Sequence, residues 1–419
     1  MASRKRSRVN NNNKYPPSKK AHTDARFEPE VLFDLGVDLL SDEEESEPTN
    51  IYNDYDKKIA KDFNERKILK PVPVRDIRYK RKSTDECSTK CDPFTALPDE
   101  ILVKILWYLN HKSLISLSQT CRRFSLLCRD EVLWPRLNLT SRKFDVDAIG
   151  HILVLGVKVL RLNSAIFPSP IMSQNLTLKL ETFVSKVKYL DLSYAWIKVE
   201  DLSLLLSKMR RLIKLSLESL NVNVDVMNQV VENQGLDTLN LAMSTGLDVE
   251  CMNVLTSHLP KLEALNLAWT RLDCPALSVL CRNLTPNVKH LDISGTQLLL
   301  KNEDLVTLVR RCRSIESLDI SDCLSISVNT FREIIKHLNR LKSLAISRSY
   351  QIEPRTLLEV KTLENLEVLA AYRLIPENLF DAVCDDLPNI RVNKNPFSVI
   401  ARPTVGIRRT SIWEQPTNE

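Results

Sequence analysis

Ten cysteines and six histidines in 419 residues are the side chains that could ligate a metal or attack a carbonyl. Their spacing therefore decides whether covalent chemistry is expected. Cys87 and Cys91 form a C-x3-C pair with neither a second pair nor a histidine nearby, whereas zinc requires four ligands at suitable spacing. No metal site is expected. A nucleophile needs a base within hydrogen-bond reach, and no Cys or Ser stands in a recognisable pairing with His. Cys251, Cys274, Cys281 and Cys312 read as small buried hydrophobes on helices. The expectation is a chain with no catalytic residue and no cofactor. Seven glycines leave no Gly-rich phosphate loop. A net charge of +6 without a basic stripe argues against nucleic-acid binding. No apolar run reaches the roughly 18 residues of a membrane span, and the N-terminus carries no apolar signal region, so no membrane partner and an intracellular setting are expected. The sequons at Asn138, Asn175 and Asn283 are then inert.

The remaining chemistry is recognition. Trp269, Arg348 and Tyr350 are the residue types that dominate protein interfaces, and what places them is a repeat. The pattern Leu-x-x-Leu-x-Leu recurs as Val187-Lys-Tyr-Leu190-Asp-Leu192, Leu212-Ile-Lys-Leu215-Ser-Leu217, Leu236-Asp-Thr-Leu239-Asn-Leu241, Leu262-Glu-Ala-Leu265-Asn-Leu267 and onward to Leu366-Glu-Val-Leu369-Ala-Ala371. The period is 24 to 27 residues for most steps. Each unit is one strand and a returning helix that cannot bury its apolar face alone, which predicts an α/β solenoid, a curved leucine-rich-repeat horseshoe of about ten repeats. Helical spacing appears between strands, as in Asp225–Val231, Asp304–Arg311 and Thr330–Leu338. Ser244, Thr270, Thr296, Cys323 and Ser349 hold one offset, suited to turning inward onto loop amides.

Strand side chains alternate, so the residue between the two strand leucines is expected on the concave face. That column reads Asp191, Ser216, Asn240, Asn266, Asp292, Asp319, Ala345. It is polar and partly acidic, as a recognition surface or a solvated face would be. After the last repeat, Ile400, Val405, Ile407, Ile412 and Trp413 are too apolar for an idle terminus, while prolines at 396, 403 and 416 forbid a long helix. An extended segment over the concave face is expected, capping the last repeats.

Residues 1–91 differ in kind: basic and Asn-rich, then acidic at Ser41–Glu47, then mixed charge with few aliphatics. Such a segment buries too little apolar surface to offset its ordering entropy, so disorder is expected. Arg4–Arg8 with Lys19 and Lys20, and Arg78–Lys82, suit an import receptor, pointing to the nucleus with the cytoplasm left open. Ser41 and Ser46 among acids suit an acidophilic kinase. Residues 30–40, acidic and amphipathic, read either as a partner-binding helix or as an idle transient one.

A block at residues 92–138 joins this tail to the repeats at 139–393, with 394–419 as the C-terminal tail. Leu97, Ile101, Ile105 and Leu109 recur at helical spacing behind Pro98, and Leu114, Leu117 and Cys121 do likewise. Three short helices leave little core, so the apolar surplus is expected to be an interface. Leu97-Pro98-Asp-Glu100-Ile101-Leu102, Leu117-Ser-Gln-Thr-Cys121-Arg-Arg-Phe124 and Leu133-Trp134 resemble an F-box. An F-box followed by leucine-rich repeats of the cysteine type resembles the F-box/leucine-rich-repeat family, substrate receptors of SCF-type cullin-RING ubiquitin ligases. Ile400-Ala-Arg-Pro-Thr-Val-Gly406, Ile412-Trp413, Leu265-Asn-Leu-Ala-Trp269 and Ala345-Ile-Ser-Arg348-Ser-Tyr350 are similar to its S-phase-kinase-associated branch. That resemblance implies a linker subunit, and through it the cullin, bound by Phe94, Leu97, Pro98, Ile101, Leu102, Ile105, Leu106 and Leu109. It also implies a cyclin-dependent-kinase regulatory subunit as phosphate-reading accessory on a rim containing Trp269, Asp319, Arg348 and Tyr350, and phosphorylated cyclin-dependent-kinase inhibitors as substrates. Ser294-Gly-Thr-Gln297 departs from the branch, where a basic loop would stand. The alternatives are a non-degradative scaffold and, third, a thioester-forming enzyme.

Overall fold

The computed structural model describes residues 37–39, 94, 97–394, 396–404 and 410–417. The basic clusters, Ser41, Ser46, Cys87 and Cys91 lie outside that range, as do Val405 and Ile407. Within the stretch read as a possible helix, the described residues are instead a strand, β1 (Val37–Leu39).

Three short helices follow: α1 (Asp99–Leu106), α2 (His111–Ser118) and α3 (Arg122–Leu127). Pro98, with φ −58° and ψ 151°, stands at the N-cap of α1, and Asp99 and Glu100 complement the positive end of the helix dipole. Asn110 caps α2 by accepting from the Ser113 amide at 2.8 Å. Arg123 of α3 donates to the carbonyls of Phe94 (2.8 Å) and Leu97 (2.6 Å) and to Asp99 Oδ1 (2.7 Å from Nη2), which fixes the entry into α1. α1 ends at Leu106, so Leu109 lies beyond it.

The strands are β2 (Arg136–Asn138), β3 (Arg142–Phe144), β4 (Val159–Arg161), β5 (Tyr189–Asp191), β6 (Lys214–Ser216), β7 (Thr238–Asn240), β8 (Ala264–Asn266), β9 (His290–Asp292), β10 (Ser317–Asp319), β11 (Ser343–Ala345), β12 (Val368–Ala370) and β13 (Arg391–Val392). All but β3 form an eleven-stranded sheet in the order β13-β12-β11-β10-β9-β8-β7-β6-β5-β4-β2, parallel throughout, with helices returning between strands. Leu160, Leu190, Leu215, Leu239, Leu265, Leu291, Leu318, Leu344 and Leu369 stack in one register column, each at most 1% exposed. Burial of each stabilises by about 1.5–3 kcal/mol. The returning helices cover them and are capped in turn; Asn223, Asp248 and Asp273 accept from amides three residues on. Of the helix-side cysteines, Cys251, Cys281 and Cys312 are buried, while Cys274 is only partly so.

The sheet begins earlier than the repeat pattern shows, because Leu133-Trp-Pro-Arg-Leu137-Asn-Leu139 carries one residue too many for the template. β2 thus lies inside the block read as a separate unit. Leu106, Leu114, Cys128, Leu133, Trp134 and Leu137 belong to the same apolar cluster as the repeats. Trp134 donates its indole N–H to the Cys128 carbonyl at 2.7 Å, and His111 stacks on it at 4.9 Å. Burial holds the His111 imidazole below its usual pKa. Lys186 pairs with Glu131 across the junction. A Cβ added to Gly156, whose φ is +79°, would come within 2.6 Å of Glu131 Cβ, so the glycine lets the two parts approach closely at this point.

Candidate protein-interaction surfaces

α1 has two faces. Leu102 and Leu106 are 1% and 3% exposed and are core, which corrects the expectation that they meet a partner. Phe94, Ile101, Ile105 and Leu109 remain exposed, Pro98 is exposed and Leu97 is half-buried. The structure adds Trp107 and Tyr108, packed edge to face at 5.3 Å, and Leu126 and Val132. Inner and outer positions are neighbours in sequence, each stripe repeating every four residues, and the sequence pattern alone does not say which apolar stripe turns inward.

The concave column does face the inside of the curve, but it is covered. Asp191, Ser216, Asn240, Asn266 and Asp292 are at most 1% exposed, and Asp319 is 7%. Each Asp or Asn caps the turn after its own strand: Asn240, Asn266, Asp292 and Asp319 accept from the amides of Ala242, Ala268, Ser294 and Ser321 at 2.9 to 3.1 Å. Their remaining groups form a network. Ser193 bridges Asp191 and Ser216; Asn240 donates to Ser216 Oγ and Glu218; Tyr194 donates to Glu218 at 2.9 Å. Burial and the Glu218 carboxylate push the Tyr194 hydroxyl up to about 12.

The C-terminal tail closes this face. Asn266 Nδ2 donates to the Ile400 carbonyl at 2.9 Å, and Arg402 lies 3.7 Å from Glu218. The tail therefore crosses the middle repeats, β9 back to β6, rather than the last ones expected. It is also not wholly extended: β14 (Ser411–Ile412) and β15 (Gln415–Pro416) form a hairpin through Trp413 and Glu414, both left-handed. The Trp413 indole donates to the Ala401 carbonyl at 3.1 Å, and Ile412 is fully buried.

Asp292 and Asp319 are opposed on adjacent parallel strands. Burial raises both carboxyls, and the Asp292 charge helps push Asp319 up to about 7. Folding draws in a proton between an unfolded value near 3.8 and that raised one. Its contribution to stability therefore grows as pH falls from about 7 toward 4 and is a penalty above 7. Asp319→Asn keeps the cap that Asn240 and Asn266 make in the neighbouring repeats. It is expected to stabilise the protein at pH 8 by on the order of 2 kcal/mol, a gain that shrinks as pH falls below about 7 and closes near pH 4. Melting temperatures at the two pH values check this; an equal gap at both would place the penalty elsewhere.

The rim is built by backbone geometry. Three residues past each strand the chain turns left-handed, at Tyr194, Ser219, Met243, Trp269, Gly295, Asp322, Arg348 and Arg373. The amides of Tyr194, Met243, Trp269 and Arg348 continue the ladder to the next repeat while their side chains swing outward. Trp269, 48% exposed, lies with its indole over Gly295; a Cβ there would meet the ring at 2.4 Å. That glycine belongs to Ser294–Gln297, the loop that departs from the pattern of the resembled branch. Arg348 clamps Asp322 with two hydrogen bonds. Trp269, Gly295, Asp322 and Arg348 thus occupy one position in four successive repeats, with Tyr350 exposed two residues on. At about 4.8 Å per strand, Trp269 and Arg348 are roughly 14 Å apart. Asp319 is not of this rim; Asp322 takes its place. Met243, Leu298 and Leu299, also exposed here, were missed, although a fixed offset from the strand picks out the first.

The inward small residues satisfy carbonyls rather than amides: Ser244, Thr270 and Ser349 donate to Leu217, Leu267 and Ile320. Burial raises the Cys251 and Cys312 thiols to about 11 and Cys323 to about 12, and it raises Cys281 as well. These four are protonated at neutral pH, unlike a nucleophilic thiolate.

A three-helix F-box sharing its core with a horseshoe of leucine-rich repeats defines the class of this protein: an F-box/leucine-rich-repeat protein. Residues 147–418 match the SKP2 LRR domain family and residues 94–140 match the F-box-like family. The chain belongs to the SKP2 leucine-rich-repeat family. It is also similar to F-box only protein 36 of Mus musculus, 39% identical over 51 residues, 12% of this chain and 27% of that protein's length.

Proposed function

We propose that this chain is the substrate-recognition subunit of an SCF-type cullin-RING ubiquitin ligase. The observation that carries the reading is the outer face of α1 and the residues flanking the helix, where Phe94, Ile101, Ile105, Trp107, Tyr108 and Leu109 stay exposed while Leu106 on the inner face belongs to the repeat core. Apolar surface of this kind marks a protein interface, and in an F-box the matching partner is the linker subunit that leads to the cullin. The chain is then a non-catalytic adaptor that raises the effective concentration of substrate near the charged ubiquitin carrier.

The rim patch supports the finer reading. Trp269 on its glycine floor and the Asp322–Arg348 clamp would hold a cyclin-dependent-kinase regulatory subunit as accessory, and the two together would read phosphorylated cyclin-dependent-kinase inhibitors, in the nucleus. Ubiquitin transfer to a phosphorylated inhibitor, reconstituted with linker, cullin-RING and carrier, tests it. Transfer is expected only with this chain and the accessory both present. Failure to co-purify with the linker, with the inhibitor merely masked, would favour the scaffold reading, and loss of transfer on Cys121→Ser alone the thioester reading.

A further inference from the structure

The edge of the horseshoe opposite the Trp269 rim, where the chain enters each strand, takes part in neither surface. One residue before the strands, the amides of Glu263, Lys289, Glu316 and Lys342 donate to the carbonyls of Asp237, Glu263, Lys289 and Glu316 at 2.7 to 2.8 Å, so these residues form a column that advances by one repeat at each step. Its charges cancel. Asp237 pairs with Lys214 at 3.5 Å, Glu263 with Lys289 at 2.9 Å, Glu316 with Lys342 at 2.7 Å and Glu367 with Arg391 at 3.1 Å. Hydrogen bonding to the Lys342 ammonium holds the Glu316 carboxyl below its usual range.

Two residues earlier in each repeat runs a second column, and it holds no acid. From β6 to β11 it reads Arg211, Gly235, Lys261, Asn287, Ser314, Arg340. Arg211, Lys261 and Arg340 are exposed and, among the described residues, enter no ion pair. The carboxylates of the first column are already held by a lysine or arginine of a neighbouring repeat, so they leave these three charges uncompensated. Gly235, Asn287 and Ser314 are short, and with Lys261 and Arg340 they line a hollow of roughly 530 Å³. Free positive charge therefore borders a concavity. The three cations lie far apart in sequence, so this basic line exists only once the solenoid stacks its repeats.

We propose that this strand-entry edge docks an extended acidic segment of a partner protein, whose carboxylates meet Arg211, Lys261 and Arg340. Charge complementarity selects the occupant. At about 4.8 Å per strand, Arg211 and Lys261 stand roughly 10 Å apart and Lys261 and Arg340 roughly 14 Å, while an extended chain rises about 3.3 Å per residue. Acids spaced three and then four residues apart thus reach all three cations, and the short side chains between them leave room for the backbone. A nucleic acid fits less well. Its bases stack on aromatic rings, and among the described residues no exposed aromatic side chain lies on this edge. A continuous run of phosphates would also lie against Asp237, Glu263 and Glu316. Exposed ion pairs are individually weak, so the contact orients a partner that is held elsewhere as well.

Fluorescence anisotropy of the full chain at low salt tests this, with a labelled serine-rich peptide whose three glutamates stand three and then four residues apart. The wild type is expected to bind it, and to ignore the same peptide with glutamine in place of glutamate. Lys261→Glu with Arg340→Glu should weaken binding about tenfold, since two attractions become repulsions. Lys301→Glu with Arg355→Glu makes the same charge change at exposed sites away from this edge and should leave affinity where it was. All four side chains are exposed, so melting temperatures of both variants should match the wild type. No binding by the wild type, or an equal loss in the two variants, would overturn the proposal. So would equally tight binding of a peptide with its glutamates adjacent, or tighter binding of a single-stranded oligonucleotide through Lys261 and Arg340.

Discussion

Replacing Ile101 and Ile105 together by aspartate is expected to abolish binding of the linker subunit while leaving the melting temperature where it was. Each side chain is exposed on the outer face of α1, and truncating an interface anchor costs about 2 kcal/mol or more. Two of them amount to at least about a thousandfold in affinity. One helical position away the outcome reverses. Leu102→Ala removes a side chain that is 1% exposed, and such a cavity costs about 2–5 kcal/mol of stability. A titration with purified linker subunit and a thermal melt on each variant separate the two faces. Unchanged linker affinity in the aspartate variant would remove the support for the F-box reading, and a melting shift as large as that of Leu102→Ala would place this face in the core.

Trp269→Ala is expected to weaken the accessory subunit by about 2 kcal/mol, roughly thirtyfold, without touching linker affinity, since the two surfaces share no partner. Gly295→Ala provides an independent route to the same end. Its added methyl would occupy the space of the indole ring, and the residue sits at φ +77°, so the indole must lift from its floor. Asp322→Asn should weaken the accessory by loosening Arg348, whereas Asp319→Asn, beneath the concave surface, should not. Equal accessory affinity for wild type and Trp269→Ala would show that the indole is only packed against its neighbour.

The horseshoe was legible because a strand leucine every 24 to 27 residues leaves one way to bury it. The F-box was legible as a pattern, yet its inner and outer faces were not: Leu102 and Ile101 are equally apolar, and only the packing of the three short helices, α1 against α3 among them, tells them apart. The acidic column was read on the correct side of the sheet and given the wrong duty. Its acceptors cap their own turns and lie under the tail, an arrangement set by Ile400 and Arg402 more than a hundred residues away. Trp269 and Arg348 were found by residue type. Asp322 was missed in favour of Asp319 because a left-handed backbone, which exposes one and not the other, leaves no mark on the identity of an aspartate. The strand at Val37–Leu39, three residues long, carries no period at all.

The shared core of F-box and repeats has a mechanical meaning. Ten strand steps at about 4.8 Å make an arm of roughly 48 Å, anchored at Trp134 and locked by Glu131 against Gly156 and Lys186. In such a lever an angular error of about 5° at the root becomes about 4 Å at the tip, longer than a hydrogen bond. Packing defects at the junction would therefore be felt as misaim at the far end, with every contact surface intact. The side chains around Trp134 set a bearing as well as a stability, and a cargo held on the distal repeats inherits its orientation from them.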